Sequence, residues 1–140
     1  LNGRLDTIQA TIVDAKLNVF DEEIGRRQFV AARYQELLKD LAIQLPLVGE
    51  GNTSVYAQYT ILSSKRDELQ SALTLEQLPS VSYYSVPLHL QPVFSIHGHH
   101  SGDFPETEKV ATTGFSLPIN PYLADIDISR IGNLIASIAA

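Results

Sequence analysis

The 140 residues are enough for one domain with a hydrophobic core, and no apolar run approaches the roughly 20 residues that cross a membrane. A net charge of −6 argues against a broad nucleic-acid-binding surface, and the absence of Cys excludes disulfides, thiolate nucleophiles and zinc–thiolate sites. The chain has no Met and opens at Leu1 without a signal-peptide pattern, so we expect a piece of a longer protein.

Apolar residues at helical spacing fill the first forty positions. They form two stripes, Leu5, Ile8, Ile12, Ala15 and Val19, then Ile24, Ala31, Tyr34, Leu38 and Leu41. The pattern predicts one long bent helix over about 5–41, or two helices with a bend near 18–21. Asp21 would cap the second part, and Glu23 is spaced to pair with Arg27.

From residue 52 to residue 140 the apolar period changes, and short strands alternate with helices. The predicted elements are strand 55–62, a short helix from Ser64 to Leu73, strand 81–84, a helix opened by Pro105, strand 115–117, and a last helix carrying Ile128, Ile131, Ile135 and Ile138. Strands of hairpin length between helices indicate an α+β fold, with helices packed on a small, mainly antiparallel sheet.

Three histidines lie close together in the sequence IHGHHSGD, at His97, His99 and His100, with Asp103 just after them. His and Asp can ligate zinc, so the segment is a candidate metal site. Its glycines and polar residues are typical of an exposed loop, and no helical or strand spacing fixes the ligands. We therefore favour the exposed loop over a metal site.

The segment VSYYSVPLHLQPVF carries three ring-bearing candidates, Tyr83, Tyr84 and His89. Pro87 and Pro92 stiffen the segment, so rings held there could line a pocket and hydrogen-bond a polar ligand. The alternative, equally supported by the residues alone, is that both tyrosines end a strand, with one ring buried and the other exposed.

Two polar residues, Asn2 and Arg4, precede the first predicted helix. An amide and a guanidinium beside a helix N-terminus make a candidate anion site. The residues alone favour a simpler interpretation, in which Asn-Gly forms a turn and Arg4 is an ordinary surface charge.

Several segments in chain order carry a family resemblance: NGRLDTIQATIVDAKL, SVYAQYTI, RDEL, YYSVPLHLQPVF, GDFPETEKVA and FSLPINPYL. Together they resemble the DegT/StrS family of PLP-dependent nucleotide-sugar aminotransferases, from Leu1 to about Ile138. Within that family the chain resembles the branch that aminates 3-oxo UDP-N-acetylglucosaminuronic acid for bacterial O-antigen sugars. The resemblance implies that residues 1–140 are the C-terminal small domain of a fold type I aminotransferase, whose N-terminal PLP domain is absent from this chain.

The resemblance also implies roles for single residues. It places Asn2 on the PLP phosphate of the partner subunit, and Arg4 near that phosphate and the acidic sugar. Tyr84 would line the sugar pocket, Tyr83 stands where the family often has His, and His89 matches the His of the family's P-L-H. The family lysine that carries PLP follows a Ser by five residues, and none of the four lysines here does so. We therefore expect no catalytic residue in this chain.

The implied enzyme is a cytoplasmic homodimer with cross-subunit active sites. It would use PLP as cofactor, glutamate as amino donor and a UDP-sugar as acceptor, and bind neither nucleic acid nor membrane. This chain alone should be inactive. Two alternatives stay open: a non-catalytic α+β interaction module, and a PLP-dependent sugar dehydratase of the same family, with His in place of the lysine. The residue at the lysine position, upstream of Leu1, separates the three.

Overall fold

The computed structural model describes residues 3–139, in which helices alternate with short strands. The elements are α1 (Thr7–Leu17), α2 (Phe20–Leu38), β1 (Tyr59–Leu62), α3 (Arg66–Leu75), α4 (Pro105–Thr113), β2 (Gly114–Leu117) and α5 (Asp125–Ala139). Two 3-10 helices, Leu88–Leu90 and Pro92–His97, lie between α3 and α4. Within this described part of the chain, no helix is long and apolar enough to span a membrane.

The two strands form an antiparallel sheet, with Tyr59 of β1 opposite Leu117 of β2. Single bridges extend it on either side, from Gln44 to β1 and from Val81 to β2. Helices pack against this sheet, so the α+β fold with a small antiparallel sheet is confirmed.

The first strand is shorter than the predicted 55–62. It begins at Tyr59, because Tyr56 adopts a φ of 46° that regular extended backbone does not contain. The period of two is nevertheless real, since Tyr59 and Ile61 are both buried.

The hydrophobic core lies between the sheet and helices α2, α3 and α5. Its largest fully buried side chains are Tyr34, Leu38, Tyr59, Ile61, Leu69, Leu73, Phe115, Ile128, Ile131, Ile135 and Val30. The predicted apolar stripes of α2 and α5 supply most of the helical members, because residues three and four apart share a helix face. The Tyr34 hydroxyl donates to the Pro118 carbonyl at 3.0 Å, and burial raises the pKa of this phenol well above its usual range.

Residues 7–38 form two helices, separated at Asn18 and Val19. Val19, and not Asp21 as predicted, is the N-cap residue of α2. None of the α1 residues is buried, and Ile8 is 74% exposed. The first apolar stripe is therefore not part of the core formed by residues 3–139.

Candidate functional site

Tyr83 and Tyr84 lie where the chain leaves the edge of the sheet. Just before them, Val81 exchanges two backbone hydrogen bonds with Ser116 of β2, at 3.2 and 2.8 Å. The chain then turns, so the predicted strand 81–84 is wrong and is reduced to this single bridge. Tyr83 is 56% exposed and Tyr84 is 80% exposed. Both rings therefore reach the surface, unlike the alternating rings of a half-buried strand.

The two tyrosines line three clefts on this side of the molecule. In the first, of about 250 Å³, Tyr83 lies with Arg27 and Asn120. The second, of about 50 Å³, contains both tyrosines together with residues of β1 and β2. The third is an apolar groove of about 470 Å³, in which Tyr84 faces residues of α4. Aromatic rings, phenol hydroxyls and one guanidinium thus meet on one surface, a combination suited to a polar ring-shaped ligand.

Arg27 brings a positive charge to the first cleft, and sequence reasoning missed this role. The spacing predicts an ion pair with Glu23, but the guanidinium donates to the Ile119 carbonyl at 2.9 Å. Glu23 instead accepts a hydrogen bond from the Tyr122 hydroxyl. A backbone carbonyl 92 residues away leaves no residue-type signal in the sequence, so this arrangement could not be predicted.

His89 does not line the tyrosine clefts. Its side chain is 8% exposed, and its Nε2 lies 3.0 Å from Glu108 Oε1. The Phe104 ring packs against the imidazole, with 4.8 Å between centroids. The backbone N–H of Gly102 is the main cause that lowers the pKa of the Glu108 carboxyl, and hydrogen bonds from His89 and Ser101 act in the same direction. The carboxylate is thus ionised at neutral pH and accepts only, so His89 Nε2 carries the proton.

The predicted anion-binding residues lie apart from this geometry. Arg4 is exposed in the segment before α1, and it lines none of the three clefts that contain the tyrosines. Asn2 lies outside the described residues.

The histidine-rich segment is exposed: His97 ends the second 3-10 helix, and residues 98–103 form a loop. His99 Nδ1 lies 3.3 Å from Asp103 Oδ2, and the same oxygen accepts from the backbone N–H of His100 at 2.9 Å. This backbone hydrogen bond is the main cause that lowers the pKa of Asp103. Residues 3–139 contain no group of three or more His, Cys, Asp or Glu side chains placed to hold a metal ion. The carboxylate therefore stabilises the loop itself.

Comparison with known proteins decides the family. The sequence profile of the DegT/DnrJ/EryC1/StrS aminotransferase family matches residues 1–136. The chain belongs to this family. It is 40% identical over 131 residues to a UDP-2-acetamido-2-deoxy-3-oxo-D-glucuronate aminotransferase of Pseudomonas aeruginosa, which covers 94% of this chain and 36% of that protein.

Solved aminotransferase structures share the fold of this DegT-family chain, among them the following two. An aminotransferase of the same family from Brucella abortus matches with a TM-score of 0.89 and 39% identity, over 100% of this chain and 37% of that one. S. venezuelae DesV, crystallised in complex with a ketimine intermediate, matches with a TM-score of 0.93 and 32% identity. The match covers 99% of this chain and 38% of the DesV chain. These likenesses confirm the predicted family and fold. The chain spans little more than a third of the length of the relatives it matches.

The four lysines of this DegT-family chain lie away from the clefts that contain Tyr83 and Tyr84. A PLP-dependent aminotransferase needs a lysine that holds the cofactor covalently. Lys39 pairs with a neighbouring glutamate at 2.9 Å, and Lys65 donates to a carbonyl near the end of α5. Lys16 and Lys109 are exposed on α1 and α4. Within residues 3–139, no lysine lines the three tyrosine clefts.

Proposed function

We propose that this chain is the C-terminal part of a PLP-dependent aminotransferase that aminates a keto-sugar nucleotide, with a UDP-sugar as acceptor and glutamate as amino donor. The observation that carries the proposal is the 40% identity, over 94% of this chain, to an aminotransferase named for a 3-oxo UDP-sugar. We extend that substrate class to a longer protein that contains this chain. A cytoplasmic role in the synthesis of O-antigen and lipopolysaccharide sugars belongs to the same proposal.

In this enzyme the chain supplies one wall of the sugar pocket. Tyr83 and Tyr84 suit that role, because each presents an exposed ring and a hydroxyl that can donate and accept hydrogen bonds. Arg4 would attract the acidic sugar. Asn2 would contact the PLP phosphate of the partner subunit, so that each active site of a homodimer contains residues from both chains.

The cofactor would be held mainly by residues outside this chain. PLP provides such an enzyme with a carrier for the amino group. We infer that its lysine lies upstream of Leu1, since no lysine lines the tyrosine clefts. The 140 residues alone should therefore show no transaminase activity and form no single stoichiometric adduct with PLP after borohydride reduction.

The proposal is tested by assaying the longer protein with UDP-2-acetamido-2-deoxy-3-oxo-glucuronate and glutamate. We expect an amino-sugar product that requires both substrates. Tyr84→Phe should raise KM for the keto-sugar several-fold without weakening PLP binding, because one hydrogen bond is typically worth about 0.5–1.5 kcal/mol. Tyr122→Phe is the matched control. Tyr122 is also exposed, but it lines none of the three tyrosine clefts.

The same protein separates the alternatives. A His at the lysine position, with loss of a sugar hydroxyl in place of amination, would indicate the dehydratase. A longer protein that neither binds PLP nor aminates the sugar would indicate the interaction module. An effect of Tyr84→Phe on PLP binding but not on the sugar would reverse the assignment of that residue.

A further inference from the structure

The segment that carries the two tyrosines, residues 81–91, is attached to the domain at both ends. At its upstream end Val81 bridges to β2, and the Ser82 hydroxyl donates to a β2 carbonyl at 2.9 Å. At its downstream end His89, in the first 3-10 helix, contacts Glu108 of α4 at 3.0 Å. Both exposed tyrosines lie between these attachments, so their placement depends on each of them.

Glu108 holds a second segment as well. Its Oε1 and Oε2 accept from the Gly102 N–H at 2.8 and 3.1 Å, and Oε2 accepts from the Ser101 hydroxyl at 3.0 Å. Its side chain is only 19% exposed. Hydrogen bonds to an ionised, largely buried carboxylate are stronger than those between neutral groups. One side chain thus joins the His89 segment, the loop at 101–102 and α4.

We propose that His89 and Glu108 are positioning residues for the tyrosines of the sugar pocket, and that His89 does not contact the sugar. This inference rests on the proposed function, and it revises the role that the family resemblance implies for His89. The imidazole is nearly buried, it lines none of the three clefts, and its Nε2 proton is donated to Glu108. Without this contact the downstream end of the segment would be held less firmly, and a loosely held binding group binds less well.

The test uses His89→Ala, Glu108→Ala and the double variant of the longer enzyme. We expect each single variant to raise KM for the keto-sugar about tenfold, as loss of a hydrogen bond to a charged group does. The glutamate half-reaction, followed without sugar nucleotide, should keep its rate. The double variant should be no worse than the more affected single variant, because both remove the same contact.

Two further variants separate positioning from substrate contact. His89→Gln places an amide donor near the position of the imidazole Nε2. Its KM for the keto-sugar should therefore lie close to that of the unmodified enzyme. His97→Ala removes an exposed histidine from the second 3-10 helix and serves as the control, with unchanged kinetics.

A physical readout accompanies the kinetics. The backbone N–H groups of Leu90 and Gln91 are hydrogen-bonded within the first 3-10 helix. Hydrogen exchange at these two amides should accelerate about tenfold in His89→Ala and Glu108→Ala, and should stay unchanged in His89→Gln. If the alanine variants do not fold, His89→Phe replaces them. It keeps a ring against Phe104 but removes the Nε2 donor, so its KM for the keto-sugar should be higher than that of His89→Gln.

Several results would overturn the inference. They are an unchanged KM for the keto-sugar in Glu108→Ala, no recovery in His89→Gln, or equal KM values for His89→Phe and His89→Gln. An unmodified enzyme that does not aminate the keto-sugar would instead contradict the proposed function. Hydrogen exchange then decides the positioning role alone: faster exchange in both alanine variants supports it, and unchanged exchange overturns it.

Discussion

Two carboxylates, Asp103 and Glu108, stabilise the loop at residues 98–103, whose side chains are exposed. Asp103 accepts the backbone N–H of His100, and Glu108 accepts that of Gly102. These hydrogen bonds favour the ionised acids and lower the pKa of both. The stability of this region is therefore linked to protonation in acid.

We expect the chain to lose stability in acid as Glu108 takes up its proton. Its folded pKa lies below the ordinary value of 4.5. Between the two values the unfolded state binds more protons, so the free energy of unfolding decreases as the pH is lowered. The contribution is complete above the ordinary pKa and is lost as pH falls through the folded pKa. Glu108→Gln should flatten the pH dependence of the urea-unfolding midpoint between about pH 5 and pH 3.

The control for this measurement is Glu106→Gln. Glu106 lies in the same first turn of α4, is exposed, and makes no hydrogen bond through its side chain to any residue in 3–139. It should keep the acid dependence of the unmodified chain. Identical acid curves for both variants would contradict a special role for Glu108.

Among the secondary-structure elements, helices were predicted more accurately than strands. Helices α2 and α5 contain the apolar spacing and the acidic first turn from which they were predicted, and α4 begins at Pro105 as predicted. These signals are all local in the sequence. Strand length depends on pairing. β1 has only four residues, matching the four of β2, although the alternating sequence begins earlier, at Val55.

In the candidate site, too, local features could be predicted from the sequence, whereas contacts between distant residues could not. Tyr83 and Tyr84 were proposed from the sequence because aromatic residues in a stiff loop are a local signal, and both rings reach the surface beside the clefts. The burial of His89 was not predicted, because its partner Glu108 lies 19 residues further along the chain. Arg27 was assigned to the wrong partner, since spacing along a helix does not reveal a carbonyl on another element.

Helices α2 and α5 approach each other closely at Gly132. A Cβ added there would lie 2.7 Å from Leu37 Cδ1 and 3.1 Å from Leu37 Cβ. Gly132→Ala should therefore destabilise the chain by about 1–3 kcal/mol from overpacking, reduced by up to about 1 kcal/mol of helix propensity. The free energy of urea unfolding measures the balance, and we expect a net loss.

Gly25 in the middle of α2 provides the matched control. An added Cβ there meets nothing within 4 Å, so Gly25→Ala should gain up to about 1 kcal/mol from helix propensity alone. Equal stabilisation by both substitutions would show that α5 does not approach α2 as closely as described.

In the molecule as a whole, α1 and residues 3–6 stand apart from the core. Leu5 is 67% exposed, and Ile8 and Ile12 are also exposed. Apolar surface of this kind favours association. We expect the 140-residue chain to self-associate at high concentration, and Ile8→Lys to reduce the mass measured by sedimentation. Ile126→Lys replaces a similarly exposed isoleucine on α5 and should change the mass less. A monomeric unmodified chain at the same concentration would contradict this prediction.

Active sites shared between two subunits can be tested by combining two inactive forms of the longer enzyme. One form carries Asn2→Ala, which removes the proposed contact to the PLP phosphate of the partner subunit. The other lacks the upstream lysine but keeps Asn2. Each homodimer has the same defect at both of its sites, so neither should be active. A mixed dimer has one site that combines the lysine of one chain with Asn2 of the other, and that site is intact.

Unfolding the two inactive forms together and refolding them should therefore restore transamination. With random pairing, half of the dimers are mixed and each has one intact site of two, so about a quarter of all sites should work. Each form refolded alone is the control and should stay inactive. Activity near that fraction supports a phosphate contact from Asn2 across the subunit interface. No recovery, in a sample shown by mass to contain mixed dimers, would mean that Asn2 acts within its own subunit or does not take part in the site.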